Sequence, residues 1–161
     1  MQTILKICLV IAALVFLKKH LLDGPRDFKK DGLLPLELAY VQGTPPSGER
    51  AILVEFWATW CGPCRQTIPH LNALYEEYHL RGLDIVGISN EDVDPVRAFM
   101  QGVPIRYTVG LDPKQRYQKA LKVRGIPHAF LLDRDGKLVW DGHPLTLGPK
   151  EIESVLPPEQ R

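Results

Sequence analysis

Apolar and polar residues along the chain divide it into segments of three kinds. Ile7 to Leu17 is an uninterrupted apolar run of eleven residues, and it is followed by a charged stretch that Asp23-Gly24-Pro25 opens as a linker. Leu36, Leu38 and Tyr40 alternate with other residues as a short half-buried strand does, and Thr44 to Arg50 is a second break. Ala51 to Trp57 is almost continuously apolar, the pattern of a strand covered on both faces. Ile68, Leu71, Leu74, Tyr75 and Tyr78 then recur at helical spacing, with Gly82 ending the segment. Leu83 to Ile88 predicts a second buried strand. Asp94-Pro95 and Asp112-Pro113 each set a capping residue before proline at a first helical position, predicting two short helices with a strand near Tyr107 to Val109 between them. Ala129 to Leu132, the turn Asp133-Arg134-Asp135-Gly136 and Lys137 to Trp140 predict a hairpin, and Gly148-Pro149 opens a last helix ending near Leu156. Strands alternating with helices and closing in a hairpin predict a layered α/β domain with a mixed sheet. No internal repeat is present.

Composition narrows the class. At 161 residues and 45% hydrophobic content, the chain can bury one substantial core and is neither disordered nor collagen-like. A net charge of +1 argues against a nucleic-acid partner, which needs a basic surplus on one face. That total conceals two regions. The first thirty residues hold six basic side chains against Asp23 and Asp27, a sum of +4, which leaves −3 on residues 31–161. Lys6 before the apolar run resembles the charged start of an export signal. No small-x-small cleavage pattern follows Leu17, so an uncleaved membrane anchor over residues 1–30 is expected, with a single domain over 31–161. The run is short for a span and would recruit Ile4 and Leu5 while Lys6, Lys18 and Lys19 snorkel. The basic cluster after the run favours the opposite orientation. Both orientations stay open, with the extracytoplasmic, periplasmic-side placement preferred.

Three cysteines are too few for a disulfide-built scaffold. Cys8 sits near the start of the apolar run and reads as a buried thiol. Trp60-Cys61-Gly62-Pro63-Cys64 stands between the first core strand and its helix. Two cysteines two residues apart at a helix start can close a small disulfide. The exposed N–H groups and positive end of the helix dipole favour a thiolate at Cys61. Cys64, one turn inside, is expected to be more buried and to attack second, while Pro63 stiffens the loop and Gly62 permits close backbone approach. Paired cysteines at this spacing also bind zinc. No second cysteine pair exists, and His20, His70, His79, His128 and His143 show no ligand-like pairing. A copper site using Cys61, Cys64 and His128 is a further alternative.

Glu55-Phe56-Trp57-Ala58-Thr59-Trp60-Cys61-Gly62-Pro63-Cys64-Arg65, with Pro69 inside the helix and Gly125-Ile126-Pro127 before a late strand, resembles the thioredoxin superfamily. Leu83 to Asp94 and the extra helix and strand after it are similar to the TlpA/ResA-like branch of membrane-tethered, extracytoplasmic thiol-disulfide oxidoreductases. The resemblance covers about residues 33–156. It implies a thioredoxin-like three-layer α/β/α fold preceded by an N-terminal hydrophobic helix. It also implies Cys61 as nucleophile, Cys64 as resolving thiol, and a cis Ile126-Pro127 bond beside the disulfide that offers Ile126 backbone groups to an extended substrate. Glu55, six residues before Cys61, falls where thioredoxins keep a buried acid that takes the second cysteine's proton; burial would raise its pKa. Trp57 and Trp60 are read as packing around the site, Trp60 also as part of the substrate groove, and Pro69 as a helix kink.

Departures from the family pattern bear on tuning. Thr67 stands where relatives of this branch often have an acid. Val86-Gly87-Ile88 supplies no lysine where thioredoxins have one, and His128 follows Pro127 where many relatives have threonine; it is expected either to line the substrate groove with Trp60, Gly62, Pro63, Ile126 and Pro127 and adjust thiolate stability, or to be an edge-exposed histidine. The expected activity is dithiol-disulfide exchange in the reducing direction, with the Cys61-Cys64 disulfide as the only redox group and no further cofactor or metal. Expected partners are disulfide-containing client proteins, a membrane or soluble thiol electron donor, and the membrane itself, for a protein acting as a monomer. A metal-handling protein and a non-catalytic binding module of the same fold are the competing readings.

Overall fold

The computed structural model describes residues 26–158. The apolar run Ile7 to Leu17, Cys8, the N-terminal hydrophobic helix expected there and the linker opening at Asp23 lie outside the described residues. No described helix is long and apolar enough to cross a membrane.

In chain order the elements are β1 (Ala39–Gln42), β2 (Ala51–Trp57), α1 (Gly62–Tyr78), β3 (Leu83–Ser89), α2 (Val93–Gly102), β4 (Thr108–Leu111), α3 (Arg116–Ala120), β5 (His128–Leu132), β6 (Leu138–Gly142) and α4 (Pro149–Val155). They build one six-stranded sheet in the order β1-β4-β3-β2-β5-β6. β2, β3 and β4 run parallel, while β1, β5 and β6 join antiparallel. This is the mixed α/β sheet expected from the strand-helix alternation.

The central strand β2 is buried at all seven positions, as its apolar run requires, and burial of each large side chain contributes roughly 1.5–3 kcal/mol. Alternation sorts its side chains onto two faces. Leu53 and Trp57 join Cys61, Cys64, Ile68, Leu71 and Leu131 in one cluster. Val54 and Phe56 join Phe28, Val86 and Phe130 in the other, where Phe130 packs against Phe28 and edge-on against Phe56 at ring distances of 6.0 and 6.1 Å. Residues 26–30, read from sequence as the end of a basic linker, pack on the domain. Phe28 is fully buried, its N–H donates to Gly136 O at 2.8 Å, and Leu138 N–H donates to Arg26 O.

Several boundaries differ from expectation. Leu36 is buried but precedes β1, and Leu38 lies over Gly110, where even a Cβ would come within 2.6 Å of it. The strand therefore starts only at Ala39. α2 is capped at Asp92 rather than Asp94, so Pro95 occupies the first turn, where a missing N–H costs no intrahelical bond. Asp112-Pro113 opens a turn, not a helix: Gln115 N–H donates to Asp112 O, Gln115 is left-handed at φ 55, and α3 begins at Arg116. The Asp112 carboxylate still accepts Tyr117 N–H at 2.8 Å. α1 runs through Pro69. The hairpin turn is as expected, closed by Gly136 N–H to Asp133 O, with Gly136 at φ 82.

Candidate active site

The β2–α1 junction carries the two cysteines. β2 ends at Trp57, the chain turns through Ala58-Thr59-Trp60, and Cys61 caps α1 with extended backbone. The turn is held from both sides. The Glu91 carboxylate accepts Thr59 N–H and Thr59 Oγ1–H, both at 2.7 Å, and Ser89 Oγ–H at 3.0 Å. Arg65 donates twice to Thr59 O, at 2.9 and 2.7 Å, and its guanidinium lies over the Phe99 ring, which in turn packs on Trp57. Sequence reasoning did not single out Glu91; its signal is a carboxylate just past the C-terminal end of β3, the strand beside β2.

Cys61 and Cys64 form a disulfide. Cys61 is 5% exposed and Cys64 fully buried, the order of access expected from their places on the helix. Cys64 N–H points at Cys61 Sγ at 3.2 Å, a donor that stabilises charge on this sulfur once the bond is reduced. The Ile126–Pro127 peptide is cis, and Ile126 O lies 3.8 Å from Cys61 Sγ. As a disulfide, that sulfur has no hydrogen to donate, so the approach is a packing contact. Trp60, the residue before Cys61, is 67% exposed, and Gly62 and Pro63 follow Cys61 into the first turn of α1; among the expected substrate-binding residues, Ile126, next to the cis Pro127, is the one in contact with the Cys61 sulfur.

Glu55 is fully buried on the same face of β2 as Trp57, paired with Gly87 on one side and Ala129 on the other. Burial pushes its carboxyl up from 4.5 to about 8. Thr67 Oγ1 is 2.8 Å from Cys64 O and 3.5 Å from Glu55 Oε1. The hydroxyl has one hydrogen, which the shorter contact assigns to the carbonyl. Its oxygen then faces Glu55 as an acceptor, which suits a protonated carboxyl donating to it. Thr67, where the family pattern suggests an acid, thus couples the backbone of Cys64 to Glu55.

Gly87, on the strand that supplies no lysine, leaves room that other groups fill. A Cβ there would come within 2.9 Å of Trp57 Nε1 and 3.1 Å of the Tyr107 ring. Tyr107 was not anticipated as part of the site. It is fixed by its neighbours: Gln42 Nε2 donates to Ile105 O and Tyr107 O at 2.7 Å each, and Asn72 brackets Pro104 and Arg106. Burial, reinforced by the nearby Glu55 charge, raises its phenol well above the ordinary value. Among the described residues, the buried side-chain atoms without a hydrogen-bond partner are Glu55 Oε2, Trp57 Nε1 and Tyr107 Oη.

His128 is placed differently from the other expected site residues. Its ring packs on Phe130 at 4.8 Å and Nε2 is 3.4 Å from Asp141. Phe130 belongs to the cluster on the sheet face opposite the cysteines, so period-two alternation turns the His128 ring away from the disulfide. No group of three or more His, Cys, Asp or Glu among the described residues could hold a metal ion.

The chain is similar in sequence and fold to known proteins. The sequence pattern of the AhpC/TSA family matches residues 40–141. The thiol-disulfide oxidoreductase ResA of Bacillus thuringiensis (strain Al Hakam) is 32% identical over 91 residues, covering 56% of this chain and 53% of the relative. ResA of Bacillus subtilis (strain 168) is 30% identical over 91 residues, covering 56% and 51%. The chain thus spans about half the length of the curated relatives it matches. A thiol:disulfide interchange protein of the thioredoxin family from Chlorobium tepidum TLS superposes with a TM-score of 0.59 at 28% identity, over 73% of this chain and 90% of that one. With the family pattern covering residues 40–141, the chain belongs to the AhpC/TSA family, as a TlpA/ResA-like member of the thioredoxin superfamily.

Proposed function

We propose that this protein is a thiol-disulfide oxidoreductase, working as a disulfide reductase on client proteins. The observation that carries the reading is the Cys61–Cys64 disulfide at the start of α1, with Cys61, 5% exposed, the more accessible sulfur, in contact with Ile126 O, and Cys64 fully buried, its carbonyl accepting from Thr67. An external dithiol first reduces the pair by two electrons. Cys61 thiolate then attacks one sulfur of a client disulfide, forming a mixed disulfide and releasing the other client sulfur as thiolate. Cys64 thiolate attacks Cys61 Sγ, which expels the second client thiolate and restores the Cys61–Cys64 bond. Two protons complete the two client thiols. Glu55, in its ionised form, takes the Cys64 proton. A carboxyl near 8 lies close to an ordinary thiol near 8.5, so the transfer is nearly balanced in energy and needs little driving force.

Trp60, Gly62, Pro63, Ile126 and Pro127 hold the client segment, with Ile126 backbone groups pairing with it. His128 contributes at a distance, lining the neighbouring cleft with Lys122 and Asp141. The Gly-Pro loop between the cysteines, as in reducing thioredoxins, favours reduction as the direction. The segment before residue 26 tethers the domain to a membrane on its extracytoplasmic side, where it works as a monomer beside a thiol electron donor. A reporter fused after Arg161 that functions only outside the cytoplasm tests this placement; an inactive reporter refutes it.

The chemical test is Cys64→Ser. Incubated with a disulfide-bonded peptide, the reduced variant should accumulate a covalent adduct at Cys61, identified by peptide mass and released by dithiothreitol. Absence of that adduct would overturn the oxidoreductase reading.

A further inference from the structure

A cleft of about 580 Å³ opens beside the disulfide. It is lined by Trp60, which adjoins Cys61 in sequence, and by the segment leading into Ile126, whose carbonyl contacts the Cys61 sulfur, so a client segment seated there lies next to Cys61. The cleft is charged in one sense. Lys119, Lys122 and Arg124 line it and no carboxylate does. Glu91, adjacent in sequence to the lining residue Asn90, directs its carboxylate to Thr59 instead. The asymmetry is local: residues 113–127 contain five basic side chains and no acidic one, whereas residues 31–161 as a whole sum to −3. Within that stretch Arg116 is paired with Glu37 and Lys114 does not line the cleft, so Lys119, Lys122 and Arg124 are its positive lining charges.

The backbone supports a built surface here. The only described non-glycine residues with positive φ, Gln115 and Lys122, both at φ 55, line this cleft. Left-handed backbone is unfavourable for side chains with a Cβ and is retained where surrounding structure holds it, often at functional sites. Lys122 and Arg124 are both exposed. Exposed cations around a site act mainly by steering oppositely charged partners and raising their association rate, an effect that salt screens over about 10 Å.

We infer that the client segment is acidic: the protein prefers disulfides flanked within a few residues by Asp or Glu, whose carboxylates meet Lys119, Lys122 and Arg124 while Trp60 covers the apolar part of the segment. This rests on the oxidoreductase reading for its reaction but adds the substrate's chemistry. The mildly acidic remainder of the domain repels such a segment, so the basic cleft also orients it towards Cys61.

The test compares two peptides with the same disulfide, one flanked by glutamates and one by lysines, with dithiothreitol as electron donor. Each kcat/KM is divided by that for the neutral hydroxyethyl disulfide on the same enzyme, which reports the dithiol itself. At low ionic strength the acidic peptide should be preferred by about tenfold or more, with the preference shrinking towards unity near 0.5 M salt. Lys119→Gln/Arg124→Gln should abolish most of it, and Lys119→Glu/Arg124→Glu should reverse it. Equal rates for the two peptides, or a preference that these changes and salt leave intact, would overturn the inference. If hydroxyethyl disulfide itself is not turned over, the oxidoreductase reading fails. Binding of the two peptides to Cys61→Ser, followed by tryptophan fluorescence, still decides the cleft: tighter, salt-sensitive binding of the acidic peptide supports it and equal binding refutes it.

Discussion

Glu55→Gln should change how stability depends on pH. In the folded protein burial raises the Glu55 carboxyl from 4.5 to about 8, whereas in the unfolded chain it ionises near its ordinary value. Between those pH values the folded state binds more protons than the unfolded state, so stability falls as pH rises. The loss begins above about 4.5 and is complete once pH passes about 8. At roughly 1.4 kcal/mol per pH unit it amounts to about 5 kcal/mol, a large part of the 5–15 kcal/mol that holds a typical domain together. Glu55 is fully buried, so solvent screening takes little from this figure. Glutamine keeps the shape, cannot ionise, and can offer its amide N–H to the Thr67 oxygen that faces Glu55. Urea unfolding of the oxidised protein, measured from pH 4 to 9, should give wild-type and Glu55→Gln curves that run close together at pH 4 and diverge by several kcal/mol at pH 9, the variant being the more stable. Other titrating groups are shared by both proteins and cancel in the difference. Parallel curves across the range would refute the buried, raised carboxyl, and with it the balanced proton transfer assigned to Cys64.

Gly87→Ala should destabilise by about 1–3 kcal/mol, the range for overpacking, because the new Cβ meets Trp57 Nε1 at 2.9 Å and the Tyr107 ring at 3.1 Å; denaturant midpoints check this, and an unchanged midpoint would show that the indole has room to move. Tyr107→Phe removes a buried hydroxyl that has no partner and should raise stability by about 1 kcal/mol; a loss of that size would mean that the hydroxyl is satisfied by an internal water. Glu91→Gln weakens the charge-assisted bonds to Thr59 and Ser89 and should cost about 1–2 kcal/mol while slowing alkylation of reduced Cys61, read by iodoacetamide kinetics across pH; unchanged stability and alkylation would show that the turn needs no such anchor.

Where local pattern alone determines structure, the sequence was legible. The apolar run Ala51 to Trp57 can be satisfied only by cover on both faces, and β2 is buried throughout. The turn at Asp133 to Gly136 needs a residue tolerant of positive φ, and Gly136 supplies it. Asp112-Pro113 misled because a cap-proline pair specifies where a turn starts but not whether a helix continues from it. Here the Asp112 carboxylate reaches the N–H of Tyr117, five residues on, and the turn is drawn out until α3 can place Tyr117 in the core.

The site was legible along the chain and less so across it. Cys61, Cys64 and Glu55 sit within ten residues on consecutive elements, so spacing brings them together. Gly87 and Tyr107 reach the same point from β3 and from the loop before β4, and only sheet register reveals that Gly87 lies opposite Glu55. The expected missing lysine at Val86-Gly87-Ile88 was therefore half of a finding. Its absence does not simply leave Glu55 without a tuning charge; it opens the volume into which Trp57 and Tyr107 pack, and that packing keeps the carboxyl dry. His128 shows the converse. It adjoins Pro127 in sequence, yet one step along β5 exchanges faces, so the residue nearest the cis-proline loop directs its ring towards Phe130 and Asp141. Nearness along a strand is thus weaker support for a shared site than parity: Ala129 and Leu131, farther along β5 from Pro127, share the cysteines' cluster, while His128 does not.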